Sequence, residues 1–534
     1  MTGAVPGRVA LGTYHRDAQR THDVASVCVI GNGYVGTVVA ASLSLIGHAV
    51  VGLESDAAKL AALRSGRAPF HEPGLDELLE PGLEQGSLAF TDDPEQAVAR
   101  ADIVFLCVGS PSYRDGSVDL RPLESAGRTI ARWLGPEHVL VIKTTVPVGT
   151  NARLGALVRR AAGQHPGRAP SVVSNPEFLR QGSAVKEFLH PDRIVLGGDD
   201  ENALDALVNV YRPILEQRFP GAGCRKPILV RTTPAVAEAA KYAANAFLAA
   251  KVSFINEMAN ICDRVGADIA EVARIIGLDH RVGPEFLQAG LGWGGSCFAK
   301  DLDALIVAAR QVGYDPQLLQ AARDVNQRQL EAVMAKLQRH LGPLGARVAL
   351  LGLAFKPGTD DLRGAPGVRL AQSLQLRGAL VTAFDPVVRA IADMPEVSVT
   401  NDPYKAADGA DAVVLVTDWP ELRKLDMVEL RTRMRGDVLV DGRNALDPRA
   451  AARAGLVYEG MGRGVVPENS REAALARSFR GLGEDGFAPN SDANLDASAF
   501  QSRAVDGNGQ SATEESSWET SNDESDTVAG LWVS

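Results

Sequence analysis

A glycine-rich stretch in the second half of the chain, residues 288–303, holds a single thiol in surroundings that suit covalent chemistry. Cys297 follows a run of glycines and precedes Lys300 and Asp301, where an apolar-periodic pattern typical of a helix begins. A thiol near a helix N-terminus is expected to have a lowered pKa and to be a better nucleophile. The competing interpretation is an inert cysteine buried after a glycine turn, which is the commoner fate of a lone cysteine.

A second candidate pair, Lys241 and Asn245, lies in a long segment that the sequence predicts to be one helix. Residues 234–264 contain no internal proline, and their apolar spacing suits a helix. Side chains four positions apart share a face, and neighbours such as Tyr242 and Phe247 make the environment apolar. We therefore predict a buried functional pair, against the alternative of an ordinary lysine on a solvated face.

A third signal is the segment 31–36, with the sequence GNGYVG, between a β-rich run at 26–30 and a helical run. An acid, Glu54, ends the next strand about 20 residues later, which is the context of a dinucleotide-binding turn. The glycines permit a tight turn and the approach of a pyrophosphate, while the acid can accept from ribose hydroxyls. Because an acid repels a 2′-phosphate, the pattern favours NAD over NADP, although Lys59 keeps NADP open.

The elements that must position these groups alternate between strand and helix in two regions. In the first, the strands at 101–108 and 139–142, and another strand that precedes the segment 174–182, end in polar or glycine-containing segments, and ligands of parallel sheets lie at such ends. Glu177 follows the third strand and by itself would more often be a solvated turn carboxylate. From residue 345 the alternation resumes without a GxGxxG motif, which predicts a second nucleotide-type site with a different ligand.

The fold class predicted is therefore α/β, with two Rossmann-like doubly wound domains joined by a central helical domain that contains one long helix. The predicted division begins with a disordered extension (1–23) and an NAD-binding Rossmann-like domain (24–228). A central helical dimerisation domain (229–340), a UDP-sugar-binding Rossmann-like domain (341–465) and an acidic, serine-rich disordered tail (466–534) follow.

Composition limits the class of protein. The 534 residues carry a net charge of −11, with 45% hydrophobic and 23% charged residues, as in ordinary soluble proteins. The acidic balance argues against nucleic acid or an anionic membrane as the main partner, and no segment is predicted to span a membrane. Five scattered cysteines without a CxxC pair predict a reduced, cytoplasmic protein with no metal site.

Taken together, the motifs resemble the UDP-glucose/GDP-mannose dehydrogenase family over residues 25–465. The matching segments, in order, are GNGYVG, CVGSPS with DGSVDL, KTTVPVGT, NPEFLRQGSAV, FLHPDRIV, KYAANAFLAAKVSFINE, GWGGSCFAKD and FKPGTDDLR. The PDRIV run and the turn at 281–283 are more similar to the branch that oxidises UDP-glucose than to the mannose branch.

The resemblance implies a four-electron oxidation of the sugar C6 alcohol to a carboxylate with two NAD used in turn. Cys297 would form a thiohemiacetal and then a thioester, because a soft nucleophile that leaves readily serves both halves. Lys241 would stabilise an oxyanion beside Asn245, and Asp301 would be a base or orient water. Thr145 and Glu177 resemble the family's remaining proton-handling and water-binding residues.

The resemblance also implies binding residues and an assembly. The cofactor would contact Gly31, Gly33, Tyr34, Val35, Gly36, Glu54, Lys59, Ser110, Thr145, Gln181, Lys300 and Arg363. The UDP-sugar would contact Glu177, Phe178, Leu179, Lys241, Asn245, Arg281, Gln288, Leu291, Gly292, Gly294, Phe355, Lys356 and Arg443. In the family the counterpart of Arg281 comes from a neighbouring subunit, so a homodimer on the long helix, or a higher homo-oligomer, is implied.

Three positions depart from the family pattern. Gln181 stands where a second glutamate is common, Gly364-Ala365 replaces Glu-Ser, and Trp293 replaces a smaller aromatic residue and is expected to narrow the sugar pocket. Two alternatives stay open at this point. One is a dehydrogenase of another nucleotide sugar, such as UDP-N-acetylglucosamine or GDP-mannose, and the other is a catalytically silent nucleotide-sugar-binding protein.

Overall fold

The computed structural model describes residues 24–163, 169–223, 225–341 and 345–464. The expectations for the N-terminal extension, the acidic tail and Cys224 lie outside these residues. Within them, no helix combines the length and the apolar character needed to cross a bilayer.

The N-terminal region is an eight-stranded sheet with the strand order β3-β2-β1-β4-β5-β6-β7-β8. The first six strands run parallel, while β7 pairs antiparallel with β6 and parallel with β8. The strands are β1 Ser26–Ile30, β2 Ala49–Leu53, β3 Leu88–Thr91, β4 Ile103–Leu106, β5 Val139–Ile142, β6 Ser171–Ser174, β7 Arg193–Gly197 and β8 Ile228–Thr232. The helices are α1 Tyr34–Leu45, α2 Ala57–Arg64, α3 Asp76–Glu84, α4 Pro94–Val98, α5 Arg121–Ile130, α6 Thr150–Ala161, α7 Ala184–Leu189 and α8 Glu201–Glu216.

Helices cover both faces of this sheet, which explains the continuous apolar strands. Every residue of β4 and β5 is buried, as expected for parallel strands with packed layers on both sides. In β1 the alternate residues Val27 and Val29 join one core, and Cys28 and Ile30 join the other.

The central region is helical, with α9 Pro234–Val265, α10 Ile269–Gly277, α11 Phe298–Gln311 and α12 Gln317–His340. The prediction of one long helix is confirmed, since α9 runs for 32 residues. Its ends carry the expected signals: the Thr233 hydroxyl accepts from the Val236 amide, a proline follows, and Gly266 at φ +77° closes the helix.

The C-terminal region is a six-stranded parallel sheet in the order β11-β10-β9-β12-β13-β14. The strands are β9 Arg347–Leu351, β10 Leu380–Phe384, β11 Ser398–Thr400, β12 Ala412–Leu415, β13 Val438–Asp441 and β14 Val457–Gly460, and the helices are α13 Pro366–Gln375, α14 Pro403–Ala406, α15 Met427–Arg433 and α16 Pro448–Arg453. This order repeats that of the first six strands of the N-terminal sheet and is the doubly wound order. The predicted fold class is therefore confirmed.

Candidate active site

The glycine loop before Cys297 has a geometry that other residues could not adopt. Gly292 has φ +98°, and a Cβ there would lie 2.5 Å from the Oδ1 of Asn326. Gly295 has φ +86°, and its Cβ would lie 2.7 Å from the ring of Phe355. The loop therefore needs glycine both for its left-handed backbone and for its close approach to neighbouring segments.

Trp293 anchors this loop, and its expected effect on the width of the sugar pocket stays a prediction. Its ring is buried against α9 and α11, where Nε1 donates to the Ser253 hydroxyl at 3.0 Å and the ring meets Phe298 edge-on. Its backbone exchanges hydrogen bonds with the side chain of Asn326 at 2.8 and 3.0 Å. The indole therefore contributes packing that holds the loop on the central helices.

Cys297 lies at the N-cap position of α11, as predicted, where solvent reaches the residue although protein surrounds the thiol on most sides. The expectation of a lowered thiol pKa is wrong, however, because the pKa of Cys297 is raised. Desolvation by the surrounding protein is the largest cause, and the negative charges of Glu177 and Asp301 add to it. Lys241 and the Ser296 hydroxyl act in the opposite direction but do not compensate. The thiol therefore needs a base to become a nucleophile.

Lys241 and Glu177 form a buried ion pair beside this thiol. Lys241 Nζ lies 3.1 Å from Glu177 Oε1, and both side chains are less than one-tenth exposed. The other carboxylate oxygen accepts from the Leu179 amide at 2.6 Å. The ammonium also lies 5.4 Å from the centre of the Phe178 ring. Glu177 is thus not the solvated turn carboxylate of the alternative interpretation.

Asn245 and Asp301 form a second buried pair. Asn245 Nδ2 donates to Asp301 Oδ2 at 2.6 Å, and Lys300 Nζ donates to Asp301 Oδ1 at the same distance. Lys300 also reaches the Ser110 hydroxyl at 3.3 Å, which in turn donates to the Thr145 carbonyl at 3.0 Å. A chain of polar contacts therefore joins the central helices to the ends of β4 and β5.

The dinucleotide turn has the shape that a pyrophosphate requires. Gly31 has φ +85°, and a Cβ on Gly36 would lie 2.0 Å from the Gly31 carbonyl oxygen, whereas a Cβ on Gly33 would meet no atom within 4 Å. Open space above Gly33 at the start of α1 is where a phosphate group can approach the backbone. The structure therefore fits NAD at this turn, with the neighbouring Val35 in the first turn of α1.

Glu54 stands at the end of β2 beside the same turn. Its carboxylate oxygens accept from the amides of Asn32 and Asp56, each at 2.9 Å. These bonds orient the carboxylate and leave lone pairs that a ribose hydroxyl can use. Lys59 is exposed in the first turn of α2.

The C-terminal domain covers this turn through a loop that contains Arg363. The Arg363 guanidinium binds both oxygens of Asp361 and lies 5.4 Å from the centre of the Tyr34 ring. Tyr34 donates to Asp360 Oδ1 at 2.8 Å, and Gln181 Nε2 donates to Asp361 Oδ2 at 3.1 Å. The amide at Gln181 can donate to Asp361, which a glutamate could not do while ionised.

The remaining predicted sugar contacts lie where the glycine loop meets the C-terminal sheet. Leu291 is buried in the C-terminal core, and its amide donates to the Gly442 carbonyl at 3.1 Å. Arg443 donates to the Val416 carbonyl at 2.6 Å and to the Gly292 carbonyl at 3.4 Å. A Cβ at Gly294 would lie 2.4 Å from the Gly364 carbonyl oxygen, and half-buried Lys356 lies 5.7 Å from the centre of the Phe355 ring.

Two predicted contacts are not brought into the cleft within this chain. Arg281 is exposed and paired with Asp279 at 2.6 Å, and Gln288 is exposed with its amide donating to the Pro284 carbonyl at 3.4 Å. For Arg281 this position agrees with the implied contribution from a neighbouring subunit.

Two buried polar residues next to the site, Lys143 and Glu238, are not among those predicted from the sequence. Glu238 lies one turn before Lys241 on α9 and accepts from the amides of Gly149 and Asn151 at 2.7 and 2.8 Å. Its helical spacing from Lys241 could have indicated it. Lys143 directly follows the wholly apolar β5, and a charge at that point is the signal that could have found it.

Comparison with known proteins places the whole described chain in one family. Residues 25–215, 235–328 and 349–448 match the NAD binding, central and UDP binding domains of the UDP-glucose/GDP-mannose dehydrogenase family. UDP-glucose 6-dehydrogenases of Rhizobium meliloti and Pseudomonas aeruginosa are each 43% identical to the chain, over 82% of it and over 99% and 97% of their own lengths. A solved UDP-glucose dehydrogenase from Pyrobaculum islandicum is 40% identical, with a TM-score of 0.75, and the match covers 83% of this chain and 99% of that one. With all three domains present in order and a thiol site assembled between them, the chain belongs to the UDP-glucose/GDP-mannose dehydrogenase family of enzymes.

Proposed function

We propose that the enzyme oxidises UDP-glucose at C6 to UDP-glucuronate in two steps, with NAD as the acceptor. The observation that supports this most is that members of both the Lys241–Glu177 and the Asn245–Asp301 pairs lie close enough to Cys297 for their charges to act on its thiol. The identities of 40–43% with proteins named as UDP-glucose dehydrogenases favour glucose over the other nucleotide sugars.

NAD supplies the chemistry of hydride acceptance, once for the alcohol and once for the thiohemiacetal. In the first half, a carboxylate of the site takes the hydroxyl proton as C6 becomes an aldehyde, and the Lys241 ammonium stabilises charge on the oxygen. The Cys297 thiol then gives its proton to a carboxylate of the site and its sulfur bonds to C6, while the carbonyl π bond opens and the oxygen takes up a proton, giving a thiohemiacetal. After the second oxidation the C6–S bond belongs to a thioester, which water breaks, returning the thiolate and releasing the carboxylate.

The two carboxylates have different environments and, we propose, different tasks. Asp301 is held by Asn245 and Lys300, so its orientation is set and it can receive the thiol proton or orient water. Glu177 is paired with Lys241, so the two can exchange a proton as oxygen charge builds and disappears. The partner of each carboxylate therefore determines its proposed role.

Dimerisation belongs to the same proposal. Phe247, Phe254 and Ile261 are 68%, 51% and 44% exposed and are spaced seven residues apart, so they form one apolar stripe along α9. Large exposed apolar patches mark interaction surfaces. A second copy packed on this stripe would also bring an exposed Arg281 towards another subunit's cleft.

The test is the amount of NADH formed per sugar consumed, with UDP-glucose, UDP-N-acetylglucosamine and GDP-mannose offered in parallel and NAD compared with NADP. Two NADH per UDP-glucose, and little from the other sugars, is the expected result. One NADH per sugar would mean an aldehyde product and no covalent role for Cys297. Absence of NADH with every sugar would favour a silent binding protein.

A further inference from the structure

Lys143, which no step of the proposed reaction uses, is a buried cation directly behind the active site. It follows β5, is 5% exposed, and forms no ion pair with any carboxylate of the described residues. Burying an ammonium without a counterion is costly, and an apolar side chain of the same length would fill the space without that cost. Its presence therefore calls for a compensating role.

The contacts of Lys143 lead to Glu177. Its ammonium donates to Asn175 Oδ1 at 3.0 Å and to the Tyr211 hydroxyl at 3.3 Å, and that hydroxyl donates to the same Asn175 oxygen at 2.6 Å. Asn175 Nδ2 donates to the Val195 carbonyl at 2.8 Å, so the whole amide is held.

Asn175 is two residues before Glu177, the carboxylate that pairs with Lys241. The backbone N–H of Asn175 donates to the Ile142 carbonyl at 2.9 Å, and the next residue, Pro176, has a restricted φ. Glu177 comes next, with its carboxylate held against Lys241. Because Lys143 holds Asn175 in place, it also helps to set the position of the Glu177 backbone two residues later.

Lys143 is also coupled to the site electrostatically. Burial lowers its pKa to about 8, while Cys107 and Glu177 act to raise it and Lys241 acts to lower it. The rings of Phe188 and Tyr211 complete its surroundings at 5.9 and 5.6 Å. The charge of Glu177 therefore acts on two buried lysines: on Lys241 through a direct ion pair at 3.1 Å, and on Lys143 without a direct contact.

We propose that Lys143 is a positioning residue of the active site, which acts through Asn175 to hold Glu177 in the geometry that pairs it with Lys241 and faces Cys297. This inference rests on the proposed function, because it assigns Lys143 to the same reaction. The hydrogen bonds of Lys143 go to Asn175 and Tyr211 and not to the Cys297 thiol.

The test uses the full-length protein and the variants Lys143→Met, Lys143→Arg and Glu177→Gln, with the double variant Lys143→Met/Glu177→Gln. The first readout is the pH midpoint of Cys297 alkylation by iodoacetamide, corrected with Cys297→Ala for the other cysteines. Because the Glu177 charge raises the pKa of this thiol, displacement of Glu177 should lower the midpoint in Lys143→Met. Lys143→Arg should keep the wild-type midpoint. In the Glu177→Gln background, adding Lys143→Met should leave the midpoint unchanged.

The second readout is turnover with UDP-glucose. Lys143→Met should lower kcat by about 10- to 100-fold, the effect of a small misplacement of a reacting group, with little change in the KM for the nucleotide sugar.

A folded Lys143→Met protein with wild-type alkylation midpoint and kcat would overturn the inference. So would a midpoint shift by Lys143→Met that is equally large in the Glu177→Gln background. If Lys143→Met fails to fold, Lys143→Gln, which keeps a donor but no charge, replaces it in the same cycle. If the wild-type enzyme forms no NADH, the proposed function fails, and the alkylation cycle still reports on Lys143.

Discussion

At the scale of single residues, the thiol of Cys297 begins in an unfavourable electrostatic position. Desolvation and two carboxylates raise its pKa, although Cys297 stands at the N-cap position of α11 and the Lys241 charge acts to lower the pKa. A site that must add a thiol to an aldehyde at neutral pH therefore depends on a base that takes the proton during the reaction. The nearby carboxylates serve that purpose in the proposed mechanism, at the cost of a lower resting fraction of thiolate.

Replacing Cys297 by serine should lower steady-state NADH formation from UDP-glucose by a factor on the order of 10³ or more. A hydroxyl is a weaker nucleophile and an alkoxide a poorer leaving group than a thiolate, so the reaction should stall after the first oxidation. NADH and sugar products are counted together. Cys262→Ser, a change in a buried cysteine of the helical core, is the matched control and should keep two NADH per sugar. Wild-type turnover by Cys297→Ser would contradict the covalent scheme.

Replacing Glu177 by glutamine should lower the pKa of Cys297. The carboxylate disfavours the thiolate, so its removal favours ionisation, and the Lys241 ammonium left behind acts in the same direction. At a fixed pH below the wild-type midpoint, alkylation by iodoacetamide should therefore be faster in Glu177→Gln. Glu124→Gln, a change in a carboxylate paired with Arg128 and Arg153 on α5 and α6, should leave the rate unchanged. Slower alkylation of Glu177→Gln would show that the charge assignment is wrong.

At the scale of elements, the turn between β1 and α1 contains glycines with two different roles, one in the packing of α1 and one in the approach of a ligand. At Gly36 a side chain would collide with the Gly31 carbonyl, so glycine serves the packing of α1 onto the strand. At Gly33 the fold itself leaves room, so glycine there serves only a ligand. The two positions can therefore be tested independently.

Gly33→Ala should leave the melting temperature close to wild type and weaken NAD binding by about tenfold, or about 1.4 kcal/mol. Its backbone has φ −86°, which alanine adopts without strain. Gly36→Ala should lower the melting temperature as well as binding, because α1 must shift away from the strand. Isothermal titration with NAD and thermal unfolding measure the two effects. Equal loss of stability in both variants would argue against this division.

A second element-scale prediction concerns Glu238, which lies on α9 and caps the start of α6. It satisfies two backbone amides and receives the Ser174 hydroxyl at 3.3 Å, while burial raises its pKa. Glu238→Ala should lower the free energy of unfolding by about 1–3 kcal/mol, since it leaves buried donors unpaired. Urea unfolding measures this, and Glu331→Ala on the exposed face of α12 is the control. An unchanged urea midpoint would show that water replaces the carboxylate freely.

At the scale of the whole molecule, the two doubly wound sheets use the residue after the second strand of each sheet differently. Glu54 directly follows β2 and retains lone pairs for a ribose. Asp385 directly follows β10, and its carboxylate already accepts from four backbone amides and one ring nitrogen, those of Leu353, Ala354, Val387, Val388 and Trp419. Asp385 is fully buried. The second sheet therefore cannot bind a dinucleotide in the manner of the first, which agrees with its match to a UDP binding domain.

The apolar stripe on α9 leads to a prediction about assembly. Phe254→Asp should reduce the mass measured by light scattering from dimer to monomer, because it places a charge in the centre of the stripe. Activity should fall together with the mass if Arg281 completes a neighbouring cleft. Leu376→Asp, at an 88% exposed leucine on the C-terminal domain, should change neither. A wild-type mass for Phe254→Asp would exclude this stripe as the interface.

The sequence by itself determined the fold class and the long central helix, and it singled out Cys297, Lys241, Asn245 and Asp301 as candidates for one site. Local signals carry this information: the glycine turn with its following acid, the long apolar period of α9 with its Thr233 and Gly266 caps, and the continuous apolar strands. Lys241 and Asn245 could be placed on one buried face because helical spacing is a local property.

Only the tertiary structure decided the direction of the Cys297 pKa shift, the burial of Trp293, and the contacts of Lys143 and Glu238. Each depends on groups that are distant in sequence: Glu177 lies 120 positions from Cys297, yet its charge acts on that thiol. The helix terminus beside Cys297 could be predicted from neighbouring residues, but the desolvation and the Glu177 charge that raise the pKa of this thiol arise only when segments distant in sequence pack together.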